Sequence, residues 1–145
     1  MRAAPRVLLD ASVFIAAAGS RTGASALLLS LCRHSHAKAV NSRFILREAE
    51  RNIQGKLGQA ALFRFYQEIA GLDLDLVGAL TQEEIASHLR IINPKDAHVL
   101  AAALRGGVEV LLTLDRKHFF SPHVLQAGLP FLIMTPGDFL RRLAQ

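Results

Sequence analysis

The chain has one cysteine, no tryptophan, one tyrosine and no aliphatic run near the ~18 residues that a membrane-crossing helix needs. A lone thiol excludes an internal disulfide framework, and the apolar stretch around Cys32 makes it a packing residue. With eight phenylalanines and one tyrosine, most of them at core-type positions, base stacking gives no basis for sequence-specific recognition of nucleic acid. Low-complexity tracts and repeats of solenoid length are absent. Arg2 and Arg6 followed by apolar residues imitate a signal peptide, but Asp10 interrupts the pattern; a cytoplasmic protein with no membrane association is expected. Acids are the scarcer charge: 12 Asp+Glu stand against 17 Lys+Arg, a formal +5, so a polyanionic partner is in view once the acids are located.

What the chain does have is 145 residues, 51% of them hydrophobic. That is the size of one domain, residues 1–145, able to bury roughly two-thirds of its unfolded surface. Val7-Leu8-Leu9-Asp10 is a continuous aliphatic block ending in a carboxylate, followed at once by helix-forming Ala and Ser. Such a block reads as a strand covered on both faces, the first of an α/β sheet. Ligands of open parallel sheets bind beyond the carboxyl ends of the strands, which is where Asp10 falls. Val108 to Asp115 repeats the pattern, and Val110–Leu114 is expected beside Val7–Leu9 as a second inner strand. The architecture implied is three-layer α/β/α around a central, mostly parallel sheet.

Between these strands, Val13 to Ala18 and Gly23 to His34 read as helices and Lys38 to Asn41 as a weak strand. Ser42 caps a helix with apolar Phe44, Ile45, Leu46, Ala49 and Ile53, ended by Gly55 and Gly58. Arg43, Arg47 and Arg51 form a basic stripe on its other side, while Glu48 and Glu50 both lie near its apolar face, and the helical wheel does not choose between them. The next helix, Gln59 to Ala70, is expected to turn Leu62, Phe63, Tyr66 and Ile69 inward. Leu72 to Val77 alternates like an edge strand, with Asp73 and Asp75 on its solvent side. Thr81 and Glu84 have capping-box spacing, which accounts for Glu84 structurally. Asn93-Pro94 opens an alanine-rich helix with Asp96 in its first turn and His98 pointing away from Asp96; Phe131 to Met134 is the last strand.

Each aspartate taken singly has an ordinary explanation, Asp96 as an acid near a helix N-terminus and Asp115 as a cap. Right-handed crossovers, however, bring Asp10 and Asp115 to one sheet edge and allow Asp96 alongside. Clustered carboxylates repel unless a cation is supplied, and a set without Cys or an obligatory His suits Mg²⁺ or Mn²⁺ better than Zn²⁺.

The segments LLDASVF at 8–14, SRFILREAERNI at 42–53, NPKDAHVLAAAL at 93–104 and LLTLDRKHF at 111–119 resemble, in order and spacing, the PIN domain family and within it the VapC-like toxin ribonucleases. The resemblance spans essentially the whole chain. It implies a PIN-like fold and an acidic quartet at Asp10, Glu48, Asp96 and Asp115, with Asp10, Asp96 and Asp115 as metal ligands, and it is this match that selects Glu48 over Glu50. It places Ser12 and Thr113 as supporting polar residues. The implied activity is metal-dependent hydrolysis of RNA phosphodiesters by the toxin of a type II toxin–antitoxin pair, with an antitoxin partner and a homodimer. Many members carry a further acid where this chain has Arg116-Lys117-His118. That departure points to a single ion, or to a basic, substrate-contacting lip at Arg116 and Lys117. With the quartet neutralised by metal, 17 basic residues face 8 acidic ones, or +9, which suits a phosphate backbone. The rival readings are a catalytically degenerate PIN-like module that binds RNA or protein, and a phosphoacceptor domain, one type of which wants an acid where Ser12 stands.

Overall fold

The strands are β1 (Arg6–Leu9), β2 (Lys38–Asn41), β3 (Asp75–Leu76), β4 (Val110–Leu112) and β5 (Leu132–Met134), and the continuous Val/Leu blocks lie in β1 and β4. The computed structural model describes residues 3–145. Helices fill the intervals: α1 (Ala11–Gly19), α2 (Ala24–Arg33), α3 (Arg43–Leu57), α4 (Gln59–Ala70), α5 (Gln82–Ala86), α6 (Ala97–Arg105), α7 (Arg116–Phe119), α8 (Pro122–Leu125) and α9 (Pro136–Leu143). All strand pairs are parallel, in the order β3-β2-β1-β4-β5. Val7, Leu8 and Leu9 stand in register with Val110, Leu111 and Leu112, so β1 and β4 are the adjacent inner strands that their sequences imply.

This order positions the site. From β1 the chain steps to β2 and β3 in one direction, then returns across the sheet to β4 and β5. Right-handed crossovers place α1 to α4 on one face and, because the return reverses direction, α5 and α6 on the other. Consistent with this, α1 packs on α2, α3 and α4, whereas α5 packs on α6 and α6 on β2. The result is a three-layer α/β/α fold. Its switch point lies between β1 and β4, where diverging loops leave a crevice at the carboxyl ends.

The core consists of Val7–Leu9 of β1 and Val110–Leu112 of β4 with Phe14, Leu28, Leu29, Ile45, Ile53, Leu100 and Phe119, each nearly inaccessible. Cys32 is buried, and burial pushes its thiol up to about 12, in keeping with a packing role. At the sheet edge, Asp75 pairs with Arg6 at 2.7 Å and Asp73 with Lys38 at 3.0 Å. Thr81 and Glu84 form the capping box, and Glu84 also binds Arg105.

Four sequence expectations are corrected. Helix α3 passes through Gly55 and stops at Gly58, whose φ of +88° is the left-handed conformation that ends helices. On α4 the buried residues are Ala61, Leu62 and Phe65, while Phe63 and Tyr66 are 63% and 45% exposed. The Phe65 ring meets Phe14 edge-on at 5.7 Å, so contact with α1 selected the inward face. Helix α6 starts at Ala97 and not near Asn93, because the Asn93 side chain accepts a bond from Asp96 N at 3.1 Å and holds residues 93–96 as a turn. Strand β4 ends at Leu112, short of the expected Leu114, since the Thr113 side chain turns to bond Asp10.

Gly106 ends α6 against β2: a Cβ there would lie 2.7 Å from Val40 Cγ1 and 3.1 Å from Ala102 O. Gly106→Ala is therefore expected to destabilise the fold by about 1–3 kcal/mol through overpacking, read as a lowered urea midpoint with unchanged slope. An unchanged midpoint would show that α6 is free to lift from the sheet.

Candidate functional site

Asp10 follows β1 and occupies the N-cap position of α1, yet its side chain makes no capping bond. It is 6% exposed, and its Oδ2 accepts bonds from Thr113 Oγ1 at 2.8 Å and Ser12 Oγ at 2.9 Å. Both hydroxyls are held from beyond β4: Ser12 Oγ accepts from Leu114 N and Thr113 Oγ1 from Asp115 N, each at 3.0 Å. Ser12 and Thr113 thus fasten the Asp10 carboxylate to the loop that carries Asp115.

Asp96 sits at the start of α6, its Oδ2 accepting from Asn93 Nδ2 at 2.8 Å. Asp115 caps α7, accepting from His118 N at 3.2 Å, and its other oxygen lies 2.8 Å from His118 Nδ1. The same His118 nitrogen is 3.8 Å from Asp96 Oδ2. Asp96, Asp115 and His118 each offer a ligand atom, and the three atoms lie within 4.8 Å of one another. His118 is the residue that the sequence reading passed over; its spacing of three from Asp115, one turn of helix, was the available signal.

Glu48 enters from α3. Its Oε1 is buried without a hydrogen-bond partner among the described residues, 3.7 Å from His98 Nε2. Burial raises the Glu48 carboxyl above the ordinary range, and the charges of Asp10 and Asp96 raise it further against the opposing pull of Lys95 and Arg51. Asp10 is raised chiefly by burial, with Asp96 adding to it. Glu48, Asp10 and Asp96 therefore share one electrostatic environment. Glu50 does not join them: its Oε2 accepts from Tyr66 Oη at 2.5 Å, on the side facing α4.

His98 lies at the edge of the core, 6% exposed beside Glu48, its pKa lowered by burial. Arg116 and Lys117 are exposed at the start of α7, with the Arg116 guanidinium 5.7 Å from the centre of the Phe120 ring. A groove of ≈ 1080 Å³ adjoins Glu48 and is lined by Arg43, Arg47, Arg51 and Lys95, among others.

The donors suit a divalent cation. Carboxylates with elevated pKa and a buried oxygen lacking a proton donor are what a cation would relieve, and oxygen ligands with one imidazole are compatible with Mg²⁺ or Mn²⁺. Removing the repulsion chemically tests this. Because the Asp10 carboxyl is raised in the folded state, its penalty is absent below the unfolded value near 3.8 and grows as pH rises through the folded value. Asp10→Asn is thus expected to raise the melting temperature of metal-free protein at neutral pH and to make little difference at about pH 3.5, where the unfolded carboxyl is largely protonated. Added Mn²⁺ should raise the melting temperature of the parent and not of the variant. Destabilisation by Asp10→Asn at neutral pH would show that the carboxylate is held favourably without a cation.

A family model described as PIN domain matches residues 6–117. No curated protein sequence matches the chain. Among solved structures, PAE2754 from Pyrobaculum aerophilum is similar with a TM-score of 0.64 at 20% identity, covering 97% of this chain and 90% of that one. VapBC2 from Rickettsia felis, bound to a DNA fragment from its promoter, has a TM-score of 0.64 at 15% identity, covering 90% of this chain and 98% of that one. VapC20 of Mycobacterium tuberculosis, a toxin that cleaves the sarcin-ricin loop, has a TM-score of 0.60 at 14% identity, covering 85% and 95%. At these identities the likeness to the three structures is one of fold, whereas the sequence model takes in β1, α3, α6 and β4 together with the acids they carry, and by that match the chain belongs to the PIN domain family.

Proposed function

We propose that this protein is a metal-dependent endoribonuclease and the toxin of a type II toxin–antitoxin pair. The observation that carries the reading is the gathering of Asp10, Glu48 and Asp96 with the Asp115–His118 pair at the switch point of the sheet. Asp10, Asp96 and Asp115 would hold Mg²⁺ or Mn²⁺, with His118 as a nitrogen donor that favours Mn²⁺. A divalent ion held there supplies Lewis acidity toward a phosphodiester and lowers the pKa of water. Glu48, its carboxyl raised above the ordinary range, is suited to accept a proton from the attacking water. Ser12 and Thr113 keep Asp10 oriented. Arg116 and Lys117 on α7, and Arg43, Arg47, Arg51 and Lys95 along the groove beside Glu48, offer cations to the RNA backbone.

Several further features go with this reading. An antitoxin partner and a homodimer belong to it; the VapBC2 complex among the structural relatives supports the former. A cytoplasmic location is part of the proposal, and no single helix among the described residues is long and apolar enough to cross a membrane. The degenerate, binding-only alternative is less well supported, because a module that only binds RNA gains nothing from holding carboxylates together in a basic protein.

Purified protein incubated with a mixed RNA pool and Mn²⁺ should cleave it, and chelator should stop cleavage. Asp96→Asn is expected to reduce the rate by about 100-fold or more, while Glu50→Gln stays close to the parent. Joint substitution of Arg116 and Lys117 by Ala should raise KM and flatten its salt dependence. Parental activity in Asp96→Asn would overturn the mechanism. In light scattering, a dimer mass is expected at micromolar concentration, and a monomer alone would remove the homodimer from the proposal.

A further inference from the structure

Three of the four acids have a visible orienting partner: Asp10 has Ser12 and Thr113, Asp96 has Asn93, and Asp115 has His118. The Glu48 carboxylate is the exception, its Oε1 buried and without a partner among the described residues. Facing that oxygen at 3.7 Å is the Nε2 of His98, whose side chain is 7% exposed and whose two ring nitrogens are likewise unpartnered. Two buried polar groups directed at each other just outside hydrogen-bond distance make a complementary pair, since a carboxylate can only accept and an imidazole N–H can donate. The ring has little freedom to turn elsewhere. The Phe44 ring covers it, with centroids 4.3 Å apart, and the backbone of α6 carries it two residues after Asp96.

We infer that His98 is the positioning residue of Glu48: its Nε2–H donates to Oε1 after a closure of under 1 Å and sets the direction in which the free Glu48 oxygen faces the attacking water. Protonated or neutral, the imidazole can present that N–H, so the contact does not require the ring to titrate. Phe44 acquires a purpose by the same reasoning. Though 59% exposed on α3, it roofs the imidazole and shields the pair from water.

The inference rests on Glu48 serving the cleavage reaction, so its test has one arm independent of activity. In ¹⁵N-labelled, metal-free protein, His98 is expected to carry its proton on Nε2, and that resonance should move on Glu48→Gln but not on Glu50→Gln. The second arm compares two substitutions at His98, each checked for folding by circular dichroism. His98→Leu, which removes the donor, is expected to lower kcat by about tenfold with little change in KM, and His98→Gln, whose amide can donate, should recover most of the loss. The double substitution His98→Leu with Glu48→Gln should be no slower than Glu48→Gln alone. An imidazole resonance indifferent to Glu48→Gln, or His98→Gln as slow as His98→Leu, would overturn the inference. If the parent cleaves no RNA with Mn²⁺, the nuclease reading fails and the resonance arm still decides whether His98 holds Glu48.

Discussion

The bond from the Thr113 hydroxyl to the Asp10 carboxylate, 2.8 Å across the β1–β4 boundary, is the contact on which the site depends. It joins the two places where inner strands give way to loops, and it does so within the buried ends of the sheet. The same hydroxyl accepts from Asp115 N, so one side chain sets both the orientation of the first acid and the path of the segment that carries the last. Ser12 repeats the arrangement from the start of α1, donating to Asp10 and accepting from Leu114 N. Strand pairing alone would align the backbones; these hydroxyls convert that alignment into a fixed position for a carboxylate.

Against this order stands an electrostatic conflict. Asp10 and Glu48 are both raised by burial and by neighbouring negative charge, a cost that the metal-free protein carries and that hydrophobic packing of β1, β4, α1 and α6 must offset. Much of the rest of the molecule has the opposite sign, with Arg43, Arg47, Arg51 and Lys95 along one groove and Arg116 and Lys117 exposed at the start of α7. An acidic centre within a basic surround would draw a polyanion toward the site and leave a cation to neutralise the centre, as the proposed metal-assisted phosphodiester hydrolysis requires.

The histidines refine that picture. His118 stands beside Asp115 in the segment where the family resemblance implies a further acid, adding a nitrogen donor in place of another negative charge. His98 lies behind Glu48, buried and covered by Phe44. The two imidazoles thus flank the carboxylate cluster, one toward solvent and one toward the core.

Local pattern determined a good deal. The aliphatic blocks at 7–9 and 110–112, the capping box at Thr81 and Glu84, and the acids after the two inner strands were all legible in the sequence, because strand burial, caps and chain direction are encoded by adjacent residues. The resemblance to a known family named Glu48 where the helical wheel left Glu48 and Glu50 equal. Only the tertiary structure decided the rest. Which face of α4 turns inward depended on Phe14 from α1, and where α6 begins depended on the Asn93 side chain. That Glu50 serves Tyr66 of α4 while Glu48 meets His98 of α6 was set by where those two helices come to lie in the folded chain. The physical reason is common to all of these: periodicity records that a residue lies near an apolar face, but the partner that satisfies or strands its polar atoms comes from an element distant in sequence, and only folding brings the two within bonding distance.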